Sequence, residues 1–318
     1  AELSAILVKD MNLRNLVIEN NHFEGASHGI LINPGWNKSN VNPIIRNNLF
    51  QNIGYVGIYF IKSSNPYIAN NTIESGTYGI YVSGSTYPSI LNNRIIGRYF
   101  GLYINNCDGS IDNYSQIVNN YINTGDNGHY NISIQNSNYI KVFYNTTILK
   151  ANLRSNYNLK IASGCSFVNV INNSLVNEMG GYVIWVEDNE SIELCDYNNY
   201  YNPASVFANW EGLCFDLHEL RAASSQNIHS TAAHPHFLSD GSYVPQSAWL
   251  DNTGLSISVN KDIEGNLRNP ETPDPGCIEF VSPPHASPPI HGIKTIGIGG
   301  DYSSLNEAFS DLFLRGIS

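Results

Sequence analysis

The chain alternates short apolar runs with polar corners, and the alternation repeats. An apolar pair followed by Asn-Asn recurs as Val17-Ile18-Glu19-Asn20-Asn21, Ile44-Ile45-Arg46-Asn47-Asn48, Tyr67-Ile68-Ala69-Asn70-Asn71 and Ile90-Leu91-Asn92-Asn93. It continues through Ile117-Val118-Asn119-Asn120, a degenerate Val142-Phe143-Tyr144-Asn145 and Val170-Ile171-Asn172-Asn173, and Asn198-Asn199 closes the series at spacings of 22–28 residues. Interleaved at the same period are Gly29-Ile30-Leu31-Ile32, Gly57-Ile58-Tyr59-Phe60, Gly79-Ile80-Tyr81-Val82 and Gly101-Leu102-Tyr103-Ile104. Alternation of period two predicts strands with one side inward. Asn and Gly tolerate the left-handed backbone of sharp corners. A unit this short has no core of its own, so each turn must bury its apolar side against the next. The pattern predicts an all-β parallel solenoid over residues 1–196, with one residue of each Asn-Asn pair stacking as an amide ladder. Asn20, Asn47, Asn70, Asn92, Asn119 and Asn172, or the neighbouring member of each pair, are the expected ladder.

The repeated I-x-N-N and G-I-x-I pattern resembles the parallel β-helix repeat proteins of the pectate-lyase-like superfamily over roughly residues 1–200. That resemblance implies a right-handed single-stranded parallel β-helix but no one function, because lyases, hydrolases, epimerases, adhesins and inert stalks share the fold. After residue 196 the period breaks. Asp262-Ile263-Glu264-Gly265-Asn266-Leu267-Arg268 and Pro273-Asp274-Pro275-Gly276-Cys277-Ile278-Glu279 resemble the closing segment of bacterial secreted β-helix proteins, departing from it at Pro275 and Cys277. The resemblance implies an exported bacterial protein, extracellular or on the cell surface, whose residues 197–281 close the final rungs.

Residues 282–292 read as a Pro-rich linker. Residues 293–318 read as a strand and an amphipathic helix capped by Ser303 or Ser304, with Leu305, Ala308, Phe309 and Leu312 on one side. Eight or so rungs span about 40 Å, and an 11-residue linker reaches at most about 36 Å. The helix is therefore expected to cap an adjacent β-helix domain or a head-to-tail copy.

Composition narrows the functions. Of 318 residues, 45 are Asn and only 14% are charged, and the net charge is −11. Nucleic acid and anionic membranes need a positive footprint that this chain lacks, and no apolar stretch is long enough to cross a bilayer. Five cysteines without a CxxC pair argue against zinc; Cys214–Cys277 is the favoured pair if any disulfide forms.

In G-I-x-I the aliphatics should face inward and the middle position outward. Aligned rungs place Leu31, Tyr59, Tyr81, Tyr103, Ser133, Lys160 and Trp185 in one outward row, a ribbon of rings suited to stacking on sugars, although stacking between rungs alone would also favour tyrosine there. Glu187 and Asp188 lie just beyond it. Glu190, Asp108 and Asp112 complete the acidic candidates for a glycosidase pair or a calcium ion. No cofactor is implied, and calcium is the one ion these carboxylates would suit. Arg94, Arg98 and the histidines are too scattered in sequence to form a lyase centre. The residues thus point to a non-enzymatic surface or adhesin-like domain that binds a polysaccharide or cell-surface glycan. The alternative is a carbohydrate-active enzyme, a glycoside hydrolase or polysaccharide lyase.

Overall fold

The computed structural model describes residues 3–315 apart from 36, 151–152, 154, 205, 240–241, 284–289, 291 and 298. The chain winds into a parallel β-solenoid of eight turns with three long sheets. Sheet 1 runs from Ser4–Lys9 to Ala208–Trp210, with Leu213–Cys214 added antiparallel at the end. Sheet 2 runs from Val17–Glu19 to Ile192–Asp196, and sheet 3 from His22–Glu24 to Asn199–Tyr201. Ile58, Phe60, Ile80, Val82, Leu102 and Ile104 are fully buried, so the G-I-x-I aliphatics fill the interior. The Gly of that motif is required by close approach: a Cβ on Gly79 would collide with Ile95 Cγ2 inside the solenoid.

The two members of each Asn pair divide the corner between sheets 2 and 3. The ladder runs through the second member, not the first. Asn48 Nδ2 and backbone N donate to Asn71 Oδ1 at 3.1 and 3.0 Å, and Asn71 does the same to Asn93 Oδ1 at 3.0 Å. The relay continues through Asn120, Asn145, Asn173 and Asn198, and ends on Ser230 Oγ. Each amide also donates to main-chain carbonyls, as Asn93 does to Ile68 O at 2.9 Å. The first members Asn20, Asn47, Asn70, Asn92, Asn119 and Asn172 instead hold left-handed backbone with φ of 54–58°. Hydrogen bonding separates the two: the inner residue's amide both donates and accepts between turns, and the outer residue supplies the left-handed backbone of the corner. Tyr144 and Tyr197 take the outer position in the degenerate rungs.

A second, shorter relay lines the corner between sheets 1 and 2. Leu13 N donates to Asn40 Oδ1, Ser63 N to Ser85 Oγ and Cys107 N to Ser137 Oγ, at 3.0–3.1 Å. Cys107 thus stands where its neighbours carry a hydroxyl. All five cysteines are free and buried, so the favoured Cys214–Cys277 disulfide does not form. Cys214 packs in the main core near Trp210, whereas Cys277 packs with Tyr121, Ile148 and Val176 in a separate outer cluster.

The segment after residue 196 does two jobs. The open end of the last turn is covered by Leu213–Cys214 and by helix α1, Leu217–Ser224, whose Leu220 is fully buried. Asp216 caps the helix start by accepting from Glu219 N at 2.8 Å, and Glu219 reaches back to accept from Phe215 N, just before the cap. Residues 255–280 do not close the end; they form a strap along the flank. Leu255, Ile257 and Val259 cover Phe143, Tyr144 and Ile171, and Ile263 and Ile278 cover Ile148 and Val176. The outer asparagines dock it: Asn172 exchanges two bonds with Leu255, and Asn119 donates to Lys261 O and accepts from Arg268 Nη2. Arg268, almost fully buried, lies 3.9 Å from the Tyr144 ring centre and pairs with Glu279 at 3.3 Å. Asp262 and Asp274 each accept backbone N–H bonds within the strap.

The linker expected at 282–292 lies largely outside the described residues. Helix α2, Leu305–Arg315, places Leu305, Ala308, Phe309 and Leu312 around a hollow of about 190 Å3 shared with Ile290, Ile296 and Tyr302 of its own lead-in.

The corner predicts a contrast between adjacent residues. Asn71→Ala should destabilise the chain by about 1–3 kcal/mol, because it leaves buried N–H groups unpaired. Asn70→Gly, exposed and at positive φ, should be nearly neutral. Urea unfolding of the two variants checks this, and the reverse order would contradict the ladder described here.

Candidate aromatic face on sheet 1

The outward row of sheet 1 pairs rung by rung as Leu31, Tyr59, Tyr81, Tyr103, Ser133, Lys160 and Trp185. Tyr59, Tyr81 and Tyr103 are half-buried, with ring centres 4.7 Å apart in each successive pair. A second row, missed in the sequence, starts each strand three residues earlier: Tyr78, Phe100, Tyr130, Tyr157 and Tyr182. Tyr78 stacks on Phe100 and Phe100 lies against Tyr130, both at 4.6 Å, and Tyr130 stacks on Tyr157 at 5.2 Å. The rows meet through Tyr78–Tyr81 at 5.4 Å and Tyr182–Trp185 at 5.1 Å. Its signal is the aromatic that opens three successive strands, in Tyr-Gly-Ile-Tyr, Phe-Gly-Leu-Tyr and Tyr-Asn-Ile-Ser. Strict alternation would turn that position inward, which is why the motif alone did not reveal it.

One charged pair sits at the end of this face. Lys160 Nζ lies 4.2 Å from the Trp185 ring centre and 2.6 Å from Glu187 Oε1. Ser163 N donates to Glu187 Oε2 at 2.9 Å. Partial burial opposes charge on Glu187, but the Lys160 and Ser163 hydrogen bonds outweigh it and hold the carboxyl below its ordinary pKa. Asp188 is a helix cap, accepting from Glu190 N at the start of the short 3-10 turn Asn189–Ser191. Asp108 accepts from Asn138 Nδ2 in the other relay corner. Asp112 is exposed. Among the described residues no three His, Cys, Asp or Glu side chains come together as a metal site.

The phenols hold their protons tightly. Burial, reinforced by the neighbouring Tyr59 and Tyr103, pushes Tyr81 up to about 12, and burial raises Tyr157 to about 12 and Tyr130 further. Tyr103 donates to Gln135 Oε1 at 2.9 Å. The face is therefore an uncharged array of rings with hydroxyl edges, closed at one end by a neutralised ion pair, and it can offer stacking and hydrogen bonds.

The raised phenols give a pH dependence. An unfolded tyrosine ionises near 10, whereas folded Tyr81 holds its proton to about 12. Its contribution is whole below pH 10 and is lost as pH rises from 10 towards 12. Urea midpoints should fall across that window and fall less in Tyr81→Phe; an unchanged slope would refute the burial described here.

A family model described as a right-handed β-helix region matches residues 4–95 and 57–212. No curated protein and no solved structure matches the chain. The stacked turns, the Asn relay and this match, which spans more than half of the sequence, agree: the chain belongs to the right-handed β-helix family.

Proposed function

We propose that this chain is a non-enzymatic domain of a secreted or surface protein that holds neutral glycans against the aromatic face of sheet 1. One observation carries the reading: two rows of rings in mutual contact, spread over six strands and about 24 Å along the axis. Tyr130 and Tyr182 are buried between their neighbours. The partly exposed rings of Tyr59, Tyr78, Tyr81, Tyr103, Tyr157 and Trp185 offer polar edges that match the apolar faces and hydroxyl rims of sugars. The net charge of −11 disfavours a polyanionic ligand.

A carbohydrate-active enzyme is less well supported on this face. Lys160 and Glu187 engage each other, and tyrosines that hold their protons far above neutrality are poor bases at physiological pH. The surface setting rests on the resemblance of the closing motif to exported proteins. Leu305 and Phe309 of α2, 60% and 51% exposed, support docking of that helix on an adjacent β-helix domain or a second copy.

A glycan array read with the wild-type chain and with a Tyr81→Ala/Tyr103→Ala/Trp185→Ala variant tests the proposal. Binding of neutral glycans should fall at least about tenfold in the variant, with circular dichroism unchanged. Assays for new reducing ends and unsaturated products on the bound polysaccharides should stay blank. Product formation, or wild-type binding to none of the glycans, would overturn it.

A further inference from the structure

A wide groove lies on another face. On the outside of sheet 2, between the strap and the turn that precedes Tyr114, is a cavity of about 860 Å3, within the range of small-molecule sites. Both walls are additions to the plain repeat. The rung from Asn92 to Asn119 has 27 residues where the preceding one has 22. The longer rung contains the hydrogen-bonded turn Ser110–Asn113 that leads into Tyr114. The opposite wall is Ile257 and Val259 of the strap.

The floor carries a built polar cluster. Glu193 Oε2 accepts from Tyr114 Oη at 2.8 Å and from Asn169 Nδ2 at 2.6 Å. Lys141 Nζ lies 4.8 Å from the Tyr114 ring centre and makes no ion pair among the described residues. Glu193 reaches this position through a break in the ladder. Val168 pairs with Ile192 and Asn169 with Leu194, so Glu193 is the extra residue of a β-bulge, and both Glu193 and Leu194 are exposed. Bulges re-aim side chains and gather beside functional sites. The Tyr114 phenol is pushed up to about 12 by desolvation and by Glu193, which keeps it a donor.

We infer that this groove is a second binding site, independent of the sheet 1 face, and that it takes a neutral oligosaccharide of one to three rings. The side chains set the ligand class. A carboxylated ligand would gain Lys141 but meet Glu193, and a cationic one the reverse. An uncharged polyol can use the ammonium as donor, the carboxylate as acceptor and the amides of Gln116 and Asn169 as both. Phe143, Leu194 and Ile257 supply the apolar surface that the ring faces of a sugar require.

Saturation-transfer NMR and titration calorimetry on the whole chain test this. The probes are neutral mono- to trisaccharides of glucose, galactose, mannose and N-acetylglucosamine, with glucuronate and glucosamine as charged counterparts. At least one neutral probe should bind the wild type and the Tyr81→Ala/Tyr103→Ala/Trp185→Ala variant equally, which separates this site from sheet 1. Its affinity should fall at least about tenfold in Glu193→Ala and in Lys141→Ala, both surface changes whose thermal midpoints should match wild type. Tyr114→Phe should weaken it less. Binding of no neutral probe, stronger binding of a charged counterpart, or affinity that follows the sheet 1 variant and ignores Glu193→Ala would each overturn the inference.

Discussion

From the second turn onward this solenoid depends on a buried amide that must donate and accept at once. The inner Asn at the corner between sheets 2 and 3 receives N–H bonds from the preceding turn through its oxygen and returns bonds through its nitrogen, as Asn71 does between Asn48 and Asn93. A slip of one residue would turn the apolar side chains of the flanking strands outward, interrupt the Asn-to-Asn relay and leave several main-chain groups unpaired in a dry interior. The relay therefore fixes the register of all three sheets. Register in turn places the x position of each G-I-x-I outward, so the aromatic face is a consequence of the amide corner.

The strap uses the other half of the same corner. Because the outer asparagines need only a left-handed backbone, their side chains are available, and Asn119 and Asn172 hold residues 255–268 against the flank. Arg268 against Tyr144 replaces an outer Asn contact in the degenerate rung. In laying the strap down, the chain also walls one side of the groove on sheet 2, so a feature that stabilises the flank shapes a surface.

The repeat made the solenoid, its turns and the first aromatic row legible in the sequence, because period and alternation are local properties. Which Asn of each pair lies inside was not legible: both types suit both positions, and burial is set by how the chain bends at the corner. The second aromatic row escaped because Tyr78 and Tyr81 are three residues apart yet lie in contact on one face, which strict alternation forbids. The end-covering helix was written in Asp216-Leu217-His218-Glu219, but inside a stretch where the loss of period dominated the reading. Glu193 gave no signal at all, since a bulge is defined by pairing with a strand 24 residues away.

The strap also makes the molecule uneven along its length. It ties Asn119, Tyr144, Thr146 and Asn172 to a segment more than 80 residues further along the chain, whereas the rungs before Asn92 are held chiefly by their immediate neighbours. In a stack where stability is a sum of nearest-neighbour terms, such a brace couples several units into one. The rungs that carry Asn119, Tyr144, Thr146 and Asn172 are thus joined to one another through a shared segment as well as through the repeat itself.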